Sequence, residues 1–109
     1  MKIKFEELKE QLLREFKGGK GIVKGRMVSD DLGKIMRLEL AKGTSIGMHT
    51  HTTNSEMVYV IQGTATCTMN DEVEIVHAGE CHYCPKESSH SIANNDAENL
   101  LLFCVVSHQ

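Results

Sequence analysis

The sequence lacks any long apolar run, any excess of basic residues, any internal repeat and, apart from Pro85, any proline. No stretch approaches the roughly 18 apolar residues of a spanning helix, which excludes that class of membrane protein. Its 12 basic and 15 acidic residues are mixed along the chain and give a formal charge of −3. There is accordingly no basic stripe for a phosphate backbone and no polybasic segment for a lipid surface. Nucleic acid and membrane are disfavoured as partners. The opening from Met1 to Glu7 interleaves charged and apolar residues where a secretory leader needs an apolar run, and a soluble, cytoplasmic protein is expected.

What is present fits one compact domain. A chain of 109 residues with 40% hydrophobic content can bury a core without disulfides or a structural metal, so any metal is expected to be functional. Six histidines stand out, about twice what an average composition supplies.

Phe5, Leu8, Leu12, Leu13 and Phe16 recur at three- and four-residue steps between charged residues, a spacing that predicts one amphipathic helix over residues 3–16. Gly18, Gly19 and Gly21 end it and supply a joint. Beyond the joint the period shortens. Residues 22–28, 34–41, 57–61, 64–69, 72–76 and 99–106 are β-prone, and turn chemistry falls between them, as at Asp30 to Gly33 and at Asn70-Asp71. Many short strands at even spacing predict a sandwich or a barrel. The expected organisation is a helix and joint over residues 1–19 and a barrel over residues 20–109.

His49 and His51 lie two residues apart, so on an extended strand both rings leave one face. Two adjacent imidazoles repel when protonated but can share one metal ion. After the polar turn Thr52 to Ser55, Glu56 heads the apolar run Met57 to Ile61. A carboxylate there is costly to bury without a cation or donors. His90 follows the lone proline on another loop-to-strand junction. Three histidines and one glutamate make a credible metal site.

The segment Gly43 to Gly63 resembles the first cupin motif, G-x5-H-x-H-x4-E-x6-G, at Gly43, His49, His51, Glu56 and Gly63. Gly79 to Asn94 resembles the second, G-x5-P-x-G-x2-H-x3-N, through Gly79, Pro85, His90 and Asn94. Glu87 stands where the motif has its internal glycine. If that position needs a positive φ, glutamate is strained there, and a turn of another shape is expected. The resemblance spans roughly the barrel and not the N-terminal segment. It implies a double-stranded β-helix (jelly-roll) barrel with a divalent transition metal held by His49, His51, Glu56 and His90; with the short N-terminal amphipathic helix read from periodicity, the expected fold is all-β, a jelly-roll barrel preceded by that helix. Three imidazoles and a carboxylate suit Fe, Mn, Ni, Co or Zn and leave octahedral positions open. The centre stays net positive and favours a small chelating anion. Small cupins are commonly dimers. The outward set Met57, Tyr59 and Ile61 also suggests a homodimer.

Cys67 and Cys104 read as core hydrophobes, and Cys81 and Cys84 as structural thiols on opposite faces of a strand, too far apart to bridge. His77 and His108 read as exposed polar residues. His82 is a candidate acid, base or supporting group if its face turns inward. The resemblance supports a metal-dependent enzyme on a sugar, sugar acid or keto acid, acting by chelation and enolate or enediolate stabilisation. An Fe-dependent dioxygenase is a variant of that reading. The alternative class is a non-catalytic metal or metabolite-binding or sensing module.

Overall fold

A computed structural model describes residues 1–109. Ten strands form two antiparallel sheets: β1 (Gln11–Arg14), β2 (Ile22–Asp30), β3 (Gly33–Leu40), β4 (Ser45–Thr50), β5 (Asn54–Gln62), β6 (Thr64–Met69), β7 (Glu72–His77), β8 (Cys81–Cys84), β9 (Ser89–Ala93) and β10 (Leu100–His108). One sheet has the order β1-β2-β3-β10-β5-β8 and the other β4-β9-β6-β7. This is the expected jelly-roll barrel.

Local chemistry makes the turns. Asn70 and Asp71 both have positive φ, 52° and 65°, the conformation a two-residue hairpin between right-twisted strands demands. The Asp30 carboxylate accepts from the backbone N–H groups of Leu32 and Gly33 and closes the β2–β3 turn. Alternate residues then face inward. Val23, Leu38, Leu40, Val58, Val60, Leu100, Leu102 and Cys104 fill the core from one sheet, and Ile46, Ala65, Cys67, Val76 and Ile92 from the other. Burial pushes the Cys67 thiol up to about 12 and the Cys104 thiol well above its ordinary value, leaving both as neutral core groups. All four cysteines are free, and Cys81 and Cys84 lie on opposite faces of β8.

The N-terminal helix does not form. Residues 5–7 make a single 3₁₀ turn, residues 11–14 add β1 to the edge of the larger sheet, and residues 16–18 make a second short turn. Glu15 and Lys17 have φ values of 46° and 56°, which no right-handed helix contains. The periodic residues find other partners. Phe5 packs edge-on against Phe103 with ring centroids 6.0 Å apart. Leu13 and Phe16 pack on the core, whereas Leu12 points outward and is 57% exposed. Arg26 donates to the carbonyls of Leu8 and Glu6 and ties down the first turn. Pairing with β2 and burial on the barrel override a helical pattern of marginal length.

Two further expectations need correction. Asn54 and Ser55 belong to β5 rather than to a turn. The turn after Pro85 keeps the left-handed shape: Glu87 itself adopts φ 73°. Its N–H donates to the His51 carbonyl at 2.6 Å, while the His51 N–H donates to Ser88 O at 3.0 Å. Those two bonds pin the backbone of His51, and they hold Glu87 in a conformation that ordinarily costs about 1–2 kcal/mol.

Candidate metal centre

Strand register assembles the cluster. In the β4–β9 pair His49 lies opposite His90, next to a bulge between Ile46 and His49 that re-aims the strand. His51 follows β4 directly, pinned by the 85–88 turn, and Glu56 enters from β5 in the facing sheet. One potential ligand atom from each of these four residues lies within 4.8 Å of every other. Glu56 Oε1 is 2.9 Å from His90 Nε2 and 3.2 Å from His51 Nε2. His90 Nε2 is 3.0 Å from His51 Nε2 and 3.2 Å from His49 Nε2.

The donor chemistry shows what this arrangement fits. The Nδ1–H of His49 donates to Gly47 O at 2.7 Å, and the Nδ1–H of His51 to Asn54 Oδ1 at 2.5 Å. A neutral imidazole has one N–H. Both rings therefore turn bare Nε2 lone pairs toward each other, toward His90 and toward a carboxylate. Converging acceptors call for a cation, and three imidazoles with one carboxylate are the donor set of a divalent first-row ion. These four residues can hold a metal ion.

Without one, a proton is the substitute. Hydrogen bonding to Glu56 is the main cause that raises His51 above the ordinary imidazole value, against the opposing effects of burial and of Lys17. Burial alone would raise the Glu56 carboxyl, but the hydrogen bonds and charges of His51 and His90 outweigh it and bring it down to about 2. Burial, aided by the charges of His90 and His51, lowers His49, although the Gly47 carbonyl opposes it.

The cluster opens into a cavity of about 180 Å³ that includes His49, His51, Asn54 and Glu56 in its wall. Phe16, Met36, Leu38, Ile46 and Val106 line it on the apolar side, and Lys17, Lys34 and His108 add polar groups. His108 is exposed, as expected, and also lines the cavity, while His77 is exposed elsewhere. His82 is buried on the inner face of β8, behind His90 and outside the cavity lining. Lys17, Lys34 and Glu74 escaped sequence reasoning. For Glu74 a signal existed, because it shares the inward parity of Val76 on β7. For the lysines none did, since the cavity joins distant segments.

An all-β jelly-roll barrel with a three-histidine, one-glutamate cluster at its mouth defines the class of protein. A family model described as the cupin domain matches residues 36–106, and the chain belongs to the cupin family. A mannose-1-phosphate guanylyltransferase from Sinorhizobium fredii is 31% identical over 68 residues, which span 62% of this chain but only 13% of that enzyme. An oxalate-binding protein from Thermotoga maritima is 23% identical over 97% of this chain and 93% of its own length. Among solved structures, a protein described as a predicted oxalate decarboxylase from Thermotoga maritima superposes with a TM-score of 0.94 at 23% identity, covering all of both chains. A putative sugar phosphate isomerase from Acidithiobacillus ferrooxidans has a TM-score of 0.73 at 22% identity, over 81% of this chain and 60% of that one.

Proposed function

We propose that the chain holds one divalent transition metal through His49, His51, Glu56 and His90 and uses it to bind a small chelating anion such as a short dicarboxylate or a keto acid. The observation that carries this reading is the convergence of three imidazole nitrogens and one carboxylate at a small cavity with two lysines in its wall. A bound ion supplies Lewis-acid stabilisation of negative charge on a chelated oxygen. The chain's own residues do the rest. Lys17 and Lys34 offset the charge that the ion and Glu56 leave on an anionic ligand, and the apolar wall excludes water and strengthens those attractions. A volume of about 180 Å³ falls below the roughly 300–1,000 Å³ of pockets for drug-sized ligands, which favours a ligand of few heavy atoms.

Oxalate is the first ligand to test, given the oxalate-binding protein that aligns along nearly its whole length. Titration of zinc- or manganese-loaded protein with oxalate should show one site that vanishes when the metal is stripped. Lys17→Ala and Lys34→Ala should each weaken it about 10-fold, the value of one hydrogen bond to a charged group. Metal-loaded protein that binds neither oxalate nor pyruvate sinks the reading. A second reading, turnover of the bound acid by a metal-dependent enzyme, is favoured by His108 in the cavity wall, a group able to move a proton near the ligand. No helix of the chain is long and apolar enough to cross a membrane, and the free thiols fit a reducing, cytoplasmic setting.

A further inference from the structure

We infer that Glu74 and His82 are positioning residues for the metal centre, because a hydrogen-bonded chain from Glu74 through His82 to His90 fixes which nitrogen of His90 is free. The inference rests on the reading that His90 is a metal ligand. His82 Nδ1 lies 2.5 Å from Glu74 Oε1, and His82 Nε2 lies 3.0 Å from His90 Nδ1. The two ring planes are nearly parallel, at 16°, with centroids 5.2 Å apart, the side-by-side arrangement that an in-plane N–H···N bond requires. Both are buried, His82 at 1% and His90 at 0% exposure.

With a cation among Glu56, His49 and His51 in place of the proton that otherwise bonds His90 to Glu56, the polarity of this chain follows from hydrogen count. An ionised Glu74 only accepts, so the single proton of a neutral His82 sits on Nδ1. His82 Nε2 then carries a lone pair and only accepts, which places the His90 proton on Nδ1. His90 Nε2 is left bare, facing Glu56, His49 and His51. The opposite polarity would let His90 donate to Glu56, but it would set a His82 lone pair against the Glu74 carboxylate across 2.5 Å. The two imidazoles thus have a carboxylate at each end, and Glu74 is the group that turns the free His90 nitrogen toward the cluster. Partners of this kind set the orientation and basicity of ligating histidines and change metal affinity by about 10- to 100-fold when removed.

Glu74 makes the test clean because its side chain is 58% exposed, so Glu74→Gln removes the acceptor-only group without disturbing the core. Zinc affinity by chelator competition should fall about 10- to 100-fold in Glu74→Gln, with the melting temperature of the stripped protein unchanged. Glu72→Gln, two residues away on the same strand and exposed, should leave affinity unchanged. In ¹⁵N-labelled, zinc-loaded parent protein, proton–nitrogen correlation spectra should show His82 and His90 each protonated at Nδ1. Equal zinc affinity in the parent and Glu74→Gln, an equal loss in Glu72→Gln, or a His82 protonated at Nε2 overturns the inference and leaves the metal centre standing. A parent that takes up no zinc overturns the metal centre and this inference with it.

Discussion

When His51 is protonated, its Nε2–H points at Glu56 from 3.2 Å, where a cation would act, and this makes metal uptake a competition with protons. The sign follows from the individual groups. Glu56, brought down to about 2, is ionised at every working pH and asks nothing of the metal. His49, lowered by burial, has lost its proton before the ordinary imidazole value of 6.5 is reached. His51, raised above 6.5 by its hydrogen bond to Glu56, still holds its proton there. Affinity should therefore rise with pH through 6.5 and keep rising above it, about tenfold per pH unit for each proton displaced, before levelling off. Zinc or cobalt competition titrations between pH 6 and 8 would measure this. Affinity that is flat across pH 6.5 would show that His51 is not displaced from its proton and is not a ligand. At this scale most of the candidate site was legible, because His49, His51, Glu56 and His90 sit in two short motifs whose spacing survives folding. Lys17 and Lys34 were not, because they reach the cavity only through contacts between distant segments, and Glu74 left only its strand parity as a signal.

Among the elements, the N-terminal segment departs furthest from its expected form, and the departure gives it a place at the cavity. Residues 16–18 lie on β4, held by a bond from Ser45 N–H to Lys20 O at 2.9 Å and one from Lys20 N–H to Ser45 Oγ at 3.0 Å. The approach is close enough that a Cβ at Gly47 would sit 2.2 Å from the Lys17 carbonyl oxygen, and one at Gly19 would sit 2.1 Å from that of Ser45. A helix over residues 3–16 could present one apolar stripe. It could not supply the left-handed Glu15 and Lys17 that bring Phe16 and Lys17 over the cavity. The barrel strands were readable because alternation and turn residues are local signals. The segment was not, because its apolar spacing fits a helix equally well and only packing on the finished barrel decides. Gly19→Ala, on the segment itself, should separate segment from centre. Overpacking of this kind costs about 1–3 kcal/mol, which for a domain of this size lowers the melting temperature by at least about 4 °C. Metal content should persist, as none of the four candidate ligands lies on the segment, while oxalate affinity falls with the displacement of Lys17. An unchanged melting temperature would show that the segment is not packed as described.

At the scale of the whole molecule, the outer face of the larger sheet is more apolar than a free surface requires. Met57, Tyr59 and Ile61 on β5 are 44%, 44% and 45% exposed, and Tyr83 on β8 is 51% exposed. Register makes them one patch. Met57 lies opposite Tyr83 on one side and Val105 on the other, and Tyr59 lies opposite Phe103. β8 is also an edge strand, and an uncovered edge beside an apolar patch invites pairing with another chain. We propose that a second copy of the chain covers this face. Aromatic residues clustered at the centre of such a patch dominate association energies, so a charge placed among them should dissociate the assembly. Sedimentation of the parent protein at micromolar concentration should give twice the chain mass, and Tyr59→Lys should give the chain mass with metal content intact. Glu56 and Val58 face the cavity and core from the opposite side of β5, so loss of metal together with the dimer would mean that the substitution had disturbed the barrel, which a melting curve would reveal. A parent protein that sediments as a monomer would leave the patch without its proposed partner.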